Sequence, residues 1–528
     1  MLPEEFSDKK YVRESYVMNW LLDHNPDSRP TAQELLDSGY VPPKIEDRQL
    51  DELLKHTLSQ NNSTRYQRLV SALFTQNVTP VMDQIYDSDC HGKNGSTILK
   101  NATILGYVKT KLDSLFLKHG AVFIQTPPLM PRTRVYDNLS NVPTFMDRSG
   151  LLVSLSYDSR ISFARYISRN NIGMMRRYYI GRILRDSRIP GAHPSQIWEC
   201  SFDIVSNCSA GVLPEAEVIY CVYEIIQEFS GLRTRNFYLR LNHICLVKAM
   251  FVQQQYSEEL QSKLFQILET VVSQQERESR LRETLSECGQ PEHLVNKLIV
   301  YLSNESSLTK AKELLQSLRK SKGAVSNLAK HGLSCLETLV KHLGHFGVDI
   351  PVQICTSLVL NSSHYSGVVF QVVADNIRKK KRGGVDILAV GGQYDRLVET
   401  FSKYAEVSSL PSVVGVSIAL EKIVASIGPE ENETHFIGQN ESRVLLCSVG
   451  TPYVYGMLEM LRELWSCGVS ASLYSYDPQQ DHTLEEVQDY AKDNGISHIV
   501  VLKESETDFV RVSNFSVFFC SYCKFKIF

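Results

Sequence analysis

Aromatic and β-branched residues dominate two neighbouring stretches in the middle of the chain. Tyr178–Ile183 and Ile197–Val205 flank the segment Arg185-Asp186-Ser187-Arg188 and a Pro190-Gly191 turn. This composition around a turn predicts two long antiparallel strands with arginines near their connecting loop. Planar guanidinium groups held there suit phosphate oxygens, although on this stretch alone an ordinary surface hairpin with solvated arginines is the better explanation.

Helical spacing alternates with strand patterns on both sides of this hairpin. Large apolar residues recur at helical spacing over Thr97–His119 and Pro214–Phe229, and strand patterns cover 151–155 and 238–241. Helices flanking an antiparallel sheet predict an α+β domain over residues 90–430. Residues 252–348 are charged and helix-rich, which predicts a helical insertion within that domain.

The pattern changes after a polar stretch at 431–440. Strand and helix patterns alternate from Arg443 to Leu502, which predicts a βαβαβ unit with parallel strands, a C-terminal α/β domain over 441–512. Residues 513–528 form an aromatic, apolar tail that we expect to be unrelated to this domain and prone to aggregate as an exposed strand. We also expect the domain to be truncated at this end.

The first 89 residues predict helices separated by prolines. Tyr16–His24 has helical spacing, and Thr31 with Glu34 forms a T-x-x-E capping box that opens a helix at Ala32. Arg29 lies in the turn between the two helices. Pro42-Pro43 marks a boundary, and residues 43–89 are interpreted as a helical linker.

Composition narrows the class of protein. The chain has 43% hydrophobic residues and a net charge of −3, so nucleic-acid contacts must come from local basic patches such as Arg378–Arg382. No apolar run reaches the roughly 18 residues of a membrane span, and we expect a cytoplasmic protein without membrane contact. The twelve cysteines are scattered except for Cys520-x-x-Cys523, which offers only two of the four ligands of structural zinc. No metal and no cofactor are predicted.

The segment LLDHNPDSRPTAQELL resembles the last part of a protein-kinase C-lobe. The resemblance assigns residues 1–42 to the end of such a lobe. In that family the arginine of the motif, here Arg29, pairs with a glutamate of the A-P-E segment, which this chain lacks. The glycine-rich loop, the ATP-binding lysine and the H-R-D and D-F-G motifs are absent too, so no kinase activity is expected of this chain.

Residues 90–430 resemble the class II aminoacyl-tRNA synthetase core, and more narrowly histidyl-tRNA synthetase. The helix ending at Gly120 and the strand ending at Thr126-Pro127 are similar to motif 1, which forms the dimer interface in that family. The hairpin is similar to motif 2 (F-R-x-E-R): Arg185 matches the arginine that grips the ATP α-phosphate, and Ser187 replaces the glutamate. The preceding segment resembles L-R-P-E-G-T but ends in Arg160.

Three further segments resemble the family's ATP and histidine pocket without its arginines. Leu358–Gln371 is similar to R-G-L-D-Y-Y-T-G-x-x-F-E, Ala389–Asp395 to A-x-G-G-R-Y-D, and Val414–Lys422 to motif 3. The missing cations imply a synthetase-like fold without aminoacylation activity, since loss of one such donor costs about 10²–10³ in rate. The degenerate pocket comprises Arg185, Ser187, Leu360, Gln393, Tyr394 and Lys422.

The order of these parts resembles the amino-acid-starvation kinases that phosphorylate the α subunit of translation initiation factor 2. The resemblance covers residues 1–512 and implies a regulatory region that senses uncharged tRNA, forms a homodimer and controls the kinase domain of its parent, with ribosome contact made through that parent. The C-terminal α/β unit would correspond to an anticodon-binding domain, and the insertion to a contact for the tRNA acceptor arm. A generic helical bundle explains the insertion equally well.

The tRNA-binding candidates are the cations of the hairpin and of the basic run. They are Arg182, Arg185, Arg188, Arg378, Lys379, Lys380, Lys381 and Arg382. The basic run is also compatible with a solvated loop or a nuclear signal. Two other functions remain open: a dimerisation and protein-interaction scaffold without an RNA role, and an active histidyl-tRNA synthetase.

Overall fold

The computed structural model describes residues 12–37 and 95–523, with gaps in the second range. The longer gaps are 187–193, 207–210, 376–384, 403–409, 428–443, 449–453, 476–482, 503–509 and 515–520; one or two residues are missing at a few other places. Contacts divide the chain into two units, the first comprising residues 1–84 and 146–152 and the second comprising the rest.

A nine-stranded sheet forms the centre of the second unit. Its strand order is β1-β5-β6-β12-β11-β10-β7-β9-β8, and β2, β4 and β3 form a separate small sheet. The bounds are β1 Val122–Phe123, β2 Leu129–Pro131, β3 Thr144–Met146, β4 Leu152–Leu155, β5 Met175–Arg185, β6 Ser195–Ser206, β7 Phe237–His243, β8 Glu305–Ser306, β9 Val352–Cys355, β10 Val368–Asp375, β11 Val385–Gln393 and β12 Ser412–Ile418.

The predicted α+β class is confirmed, but the sheet is mixed rather than wholly antiparallel. Neighbouring strands from β5 to β7 pair antiparallel, whereas β1 pairs parallel with β5 and β7 with β9. Parallel neighbours need a long crossover connection. The one between β7 and β9 carries the helical insertion, which explains how so long an insertion fits at this point.

The predicted hairpin is present and longer than its apolar runs. Its two strands pair from Met175↔Val205 to Arg185↔Ser195. Tyr178 and Phe202 face helix α3 (Gly95–Lys118), where the Phe116 ring stacks on both at centroid distances of 5.1 and 5.6 Å. Because side chains alternate across a strand, the residues between these aromatics face the opposite side of the sheet.

Helices cover the sheet and build the insertion. After α3 these helices are α4 Ser159–Asn170, α5 Leu213–Glu228, α6 Ser230–Arg233, α7 Ile244–Gln253, α8 Glu258–Thr270, α9 Gln274–Glu287, α10 Glu292–Leu302, α11 Leu308–Leu314, α12 Gln316–Lys320, α13 Ala324–His345, α14 Asp395–Ser402 and α15 Leu420–Ser426. The predicted helix-rich character of residues 252–348 is confirmed by α8 to α13.

The C-terminal sheet has the predicted parallel strands. β13 (Val444–Ser448) pairs parallel with β14 (Ala471–Leu473) and with β15 (His498–Leu502), and helices α16 (Val454–Ser466) and α17 (Leu484–Asp493) alternate with them. Two antiparallel strands follow, β16 (Val510–Asn514) and β17 (Ser521–Cys523). The tail therefore contributes the strand β17 to this sheet. This pairing was not predicted, because the tail was expected to be unrelated to the domain.

In the first unit, helices α1 (Val12–Leu21) and α2 (Ala32–Asp37) surround a short 3₁₀ turn at Pro26–Ser28. The capping box is formed as predicted: the Thr31 backbone N–H donates to Glu34 Oε2 at 2.8 Å, and the Glu34 N–H donates to Thr31 Oγ1 at 3.3 Å. Arg29 Nε donates to the carbonyl oxygen of Asp23 at 2.9 Å. The linker 43–89 lies outside the described residues.

Within the part of the chain that the structure describes, no helix is both long and apolar enough to cross a bilayer.

A charged cluster joins the end of α3 to α5 and predicts a pH-dependent stability. His119 Nε2 lies 2.6 Å from Glu224 Oε2, and Arg176 Nε lies 3.0 Å from Glu217 Oε1. The hydrogen bond to Glu217 raises the pKa of His119 above 6.5, against burial. Burial alone would raise the pKa of Glu217, but hydrogen bonds from His119 and Arg176 hold it at about 2.

These shifts set the expected pH window. A raised histidine pKa contributes stability below pH 6.5 that is lost as the pH rises through the folded value, and a carboxyl held at about 2 contributes stability above 4.5 that is lost as the pH falls. The melting temperature should therefore be highest between pH 4.5 and 6.5 and decline on both sides of this range. His119→Gln should remove the alkaline decline; an unchanged alkaline limb in this variant would contradict the assignment.

Candidate functional site

A row of polar side chains lies on the buried face of the central sheet, opposite the aromatic face. On β6 this row comprises Glu199, Ser201 and Asp203, all less than 9% exposed. They alternate along the strand with the apolar Cys200 and Phe202. The period of two along a strand places the three polar residues on one face. Buried carboxylates require partners, and the structure supplies them from two directions.

Arg177 and Tyr394 are the partners of Asp203. Arg177 Nη1 donates to Asp203 Oδ2 at 2.7 Å, and the Tyr394 hydroxyl donates to Asp203 Oδ1, also at 2.7 Å. The guanidinium carbon of Arg177 lies 4.5 Å from the ring centroid of Phe163. Burial raises the pKa of Asp203, and the two donors oppose that rise. The network ties β5, β6 and the end of β11 together and forms a rigid floor.

Arg160 occupies the space beside Glu199. Asp158 caps α4 and accepts the Arg160 backbone N–H at 2.7 Å, while Arg160 Nη2 donates to Asp158 Oδ2 at 3.0 Å. Arg160 Nη1 donates to the Tyr365 hydroxyl. Glu199 accepts the Ser159 N–H at 3.1 Å and the Ser417 hydroxyl at 2.9 Å. One arginine therefore lies among two carboxyl groups and a phenol.

The pKa values in this cluster are set by burial and by the charges of Arg160 and Arg185. Burial alone would raise the pKa of Asp158, but Arg160, by charge and hydrogen bonds, together with the charge of Arg185, holds it at about 2. Burial and the charge of Asp158 raise the pKa of Glu199, and Arg160 offsets part of the rise. Burial raises the pKa of Tyr365 to about 12.

This arrangement has a simple chemical meaning. One half-buried carboxyl group, Asp158, one buried carboxyl group, Glu199, and a phenol are groups that would receive a cation, for example the ammonium group of an amino acid. Here the Arg160 side chain, only 15% exposed, supplies a cation from within the chain. Its guanidinium pairs with Asp158 and donates to the Tyr365 hydroxyl.

The hairpin arginines make local contacts. Arg185 donates to the Tyr157 carbonyl oxygen, and its guanidinium carbon lies 3.5 Å from the Tyr157 ring centroid. Arg182 is exposed, donates to Gln196 Oε1 at 2.5 Å and lies 5.2 Å from the Trp198 ring centroid. Odd sequence separation places these two arginines on opposite faces of β5. Ser187 and Arg188 lie outside the described residues.

The structure distributes the remaining predicted pocket residues over different surroundings. Leu360 packs against the core and lines a cavity of about 1210 Å³ between the insertion and the sheet. Gln393 Nε2 donates to Asp395 Oδ2 at 2.7 Å and to Ser412 Oγ at 3.0 Å. Tyr394 is fully buried. Lys422 Nζ lies 2.6 Å from Asp386 Oδ1 and donates to the Ile387 carbonyl oxygen at 2.5 Å.

The basic run Arg378–Arg382 also lies outside the described residues, which end before it at Asp375 and resume at Val385. Its neighbours β10 and β11 pair with each other, and their register ends at Asp375↔Val385. The run therefore belongs to the chain segment between these two paired strands.

Sequence reasoning missed Asp158, Glu199 and Asp203 as site residues. A usable signal existed for the last two, because carboxylates four residues apart inside an otherwise apolar strand lie on one face and demand partners. No local signal indicated that Arg160 would meet Tyr365, which lies 205 positions later.

Comparison with known proteins finds similarity to histidyl-tRNA synthetases in sequence and in fold. A family model described as histidyl-tRNA synthetase matches residues 106–423. The mitochondrial histidine–tRNA ligase of Saccharomyces cerevisiae is 27% identical over 390 residues, which are 68% of this chain and 70% of that protein. The crystal structure of histidyl-tRNA synthetase from Nostoc sp. PCC 7120 superposes with a TM-score of 0.62 at 17% identity, over 80% of this chain and 94% of that one.

A second group of relatives extends the similarity beyond the synthetase-like region. The human eIF-2-alpha kinase GCN2 is 34% identical over 515 residues, which are 97% of this chain but 31% of that protein. The chain thus spans about a third of the length of these relatives.

Proposed function

Because this chain belongs to the histidyl-tRNA synthetase family and aligns over 97% of its length with an eIF-2-alpha kinase, we propose that it is the tRNA-binding regulatory region of such a kinase. Its synthetase-like domain senses uncharged tRNA in amino-acid starvation and has lost aminoacylation. The observation that carries the proposed loss of activity is Arg160, whose guanidinium pairs with Asp158 and donates to the Tyr365 hydroxyl and so occupies the acidic cluster.

The substituted positions support the same conclusion. Where the family pattern has an arginine, Leu360 adds an apolar side chain to the cavity it lines, so the cation of that position is replaced by a group that cannot stabilise a phosphate. Lys422 replaces the ATP-stacking arginine and is held by Asp386 and by a backbone carbonyl. Lysine lacks the planar fork that stacks on an adenine ring.

Histidine-dependent ATP–pyrophosphate exchange is therefore expected to be undetectable with this chain. An active histidyl-tRNA synthetase in the same assay is the positive control. Arg160→Thr, which places the family residue at this position, tests whether the arginine side chain alone prevents histidine binding. If it does, calorimetry should detect histidine binding to this variant and none to the unmodified chain. Exchange above background in the unmodified chain would contradict the proposal.

Retention of tRNA binding is supported by what the chain keeps. A catalytically inactive synthetase fold still presents shape and phosphate contacts, which dominate recognition of folded RNA. The proposed contacts are Arg182, Arg185 and Arg188 on the hairpin and the connection 378–382. Binding energy at these sites would bias the kinase domain of the parent protein between inactive and active states.

An exposed apolar surface around β1 supports the proposed homodimer. Leu117, Val122, Phe123 and Leu129 are 46–60% exposed, and β1 is the edge strand of the nine-stranded sheet. Large exposed side chains that cluster beside an unpaired strand edge mark an association surface. We propose that a second copy of this chain covers it.

Phe123→Asp is expected to convert the dimer to a monomer. Burying two unpaired carboxylates in a twofold interface costs about 3–5 kcal/mol each, which raises the dissociation constant by more than about 100-fold. Light scattering coupled to size-exclusion chromatography measures the change. Val300→Asp is the matched control because Val300 is 59% exposed on the insertion; dissociation by the control, or a dimeric Phe123→Asp protein, would refute the assignment.

The same surface favours the second candidate function, a dimerisation and interaction scaffold without an RNA role. One variant, with the cations of 378–382 replaced by serine, distinguishes the sensor from the scaffold. Replacing the cations of 378–382 with serine should weaken tRNA binding and leave the dimer intact if the chain is a sensor. If it is only a scaffold, neither the parent chain nor the variant binds tRNA at low salt.

The remaining assignments follow from the same alignment. We propose that residues 1–42 are the end of a kinase C-lobe, 43–89 a linker and 441–512 an anticodon-binding-like domain. The parent protein is then cytoplasmic, and its other regions supply the kinase activity and any ribosome contact.

A further inference from the structure

A group of histidine and cysteine side chains lies between the end of β7 and the last helix of the insertion. His243 ends β7 and caps α7, and Cys245 lies in the first turn of that helix. His331 and Cys335 lie one turn apart on α13. Gly332 explains why the two helices come so close: a Cβ atom there would lie 2.9 Å from Leu246 Cδ2 and 3.5 Å from His243 Cβ.

The donor atoms of three of these residues converge. One ligand atom each from His243, Cys245 and His331 lie within 4.8 Å of one another. The two imidazole rings meet edge to face at a centroid distance of 5.3 Å. Cys335 Sγ lies 3.8 Å from His331 Nε2, so a second thiol adjoins the group. Among the described residues, this is the one set of three or more potential ligands placed close enough to share a metal ion.

We propose that His243, Cys245 and His331 bind a Zn²⁺ ion, with Cys335 as the fourth ligand. Two imidazoles and two thiolates form one of the usual donor sets of structural zinc. Zinc–nitrogen and zinc–sulfur distances of about 2.0–2.3 Å require the donor atoms to approach one another by roughly 1 Å, which side-chain rotation on two helix surfaces accomplishes. His243 Nδ1 accepts the Cys245 N–H at 3.1 Å, and a metal at this nitrogen would replace that hydrogen bond.

The burial of the four residues suits entry of an ion. His243 is buried, Cys245 and Cys335 are half-buried, and His331 is exposed. Solvent therefore reaches the group from the α13 side, while the β7 side is closed. Soft thiolates together with imidazole select zinc over magnesium or calcium, which prefer oxygen ligands.

Occupancy would fix the insertion to the sheet. α13 is the last helix of the insertion, and His243 belongs to a strand paired with β9 and β10. A bound ion would thus link the insertion by coordinate bonds to the end of β7 and the start of α7, through two ligands on each side. The structure gains rigidity at the junction between the two parts without any role in catalysis.

Cobalt substitution tests the proposal on the full chain. The chelator-treated protein is titrated with Co²⁺, and thiolate coordination is read from the near-ultraviolet charge-transfer absorption and the visible bands of tetrahedral cobalt. One equivalent should produce both signals, and Zn²⁺ should abolish them. Cys245→Ser and His331→Gln should each weaken binding by more than about 100-fold, because loss of even an outer partner of a ligand costs about 10- to 100-fold.

The matched controls are an exposed cysteine and an exposed histidine outside the group. Cys288→Ser and His345→Gln change an exposed cysteine and an exposed histidine and should leave the titration unchanged. Cys335→Ser should lower the charge-transfer intensity by about half and retain binding with water as the fourth ligand.

A second measurement uses the unmodified chain, so its result does not depend on whether the variants fold. Zn²⁺ should raise the melting temperature and slow amide exchange in α7 and α13, and chelation should reverse both. Absence of thiolate-to-cobalt absorption in the unmodified chain, or an identical titration with Cys245→Ser, would overturn the proposal.

Discussion

Arg177→Met is expected to destabilise the central sheet by about 3–5 kcal/mol, because it leaves the fully buried Asp203 carboxylate without its cation. Arg177 pairs with Asp203 across the β5–β6 hairpin. Its side chain is the largest that is fully buried in the described residues, and it packs over Phe163. Amide hydrogen exchange of β5 and β6, followed by mass spectrometry, measures the loss locally and is independent of the C-terminal sheet.

Two further variants separate the charge from the packing. Tyr394→Phe removes one donor to Asp203 and keeps the ring, so a smaller loss of about 1–3 kcal/mol is expected. The double variant Arg177→Met, Asp203→Leu removes both charges and should recover much of the stability lost in Arg177→Met, since buried ion pairs are often replaceable by apolar groups. An Arg177→Met variant as stable as the unmodified chain would contradict this prediction. So would a double variant less stable than Arg177→Met, because the loss would then not come from an unpaired buried carboxylate.

The prediction from sequence succeeded where local chemistry determines structure. The Thr31–Glu34 capping box, the hairpin and the alternation of strands and helices after residue 440 all follow from patterns within a few residues. It fell short for the edges of the central sheet. The parallel pairing of β7 with β9 joins segments about 110 positions apart, and no local pattern sets that register.

The candidate site shows the same division. The family resemblance pointed to the positions where arginines are missing, and physical reasoning alone could have identified Glu199 and Asp203 as buried acids in need of partners. The role of Arg160 depends on contacts with Tyr365 and on the space beside Glu199, which only the assembled fold defines. From sequence alone, an arginine next to a helix cap is expected to be exposed to solvent.

Lys422 belongs to a group of paired charges near the end of the central sheet. It forms an ion pair with Asp386, which also binds Arg235 Nη2 at 2.5 Å. Burial alone would raise the pKa of Asp386, but these two cations lower it. Lys422 thus takes part in a structural contact between β11, α15 and the segment before β7. Under the proposed function, this contact holds the lysine that stands where the family pattern has its ATP-stacking arginine.

Uncharged tRNA is expected to bind with an affinity that falls steeply as salt rises. Each phosphate neutralised by a lysine or arginine contributes nearly one unit to the slope of log affinity against log salt, and six to ten such contacts lower affinity by about 10³–10⁵ between 50 and 200 mM salt. Filter binding at several salt concentrations gives the slope. Comparison of uncharged with aminoacylated tRNA tests the sensing role, which requires tighter binding of the former.

Replacing all five cations of 378–382 with serine should lower the salt slope by roughly 0.9 unit for each residue that contacts phosphate. Arg169→Ser, at an exposed position on α4, is the matched control and should leave the slope unchanged. A reduced slope with an unchanged dimer assigns the connection between β10 and β11 to the RNA interface. An unchanged slope in the five-residue variant would move the phosphate contacts to the hairpin, where the same measurement on Arg182→Ser decides the question. No detectable binding at low salt by the parent chain would refute the sensor altogether and leave the dimerisation scaffold.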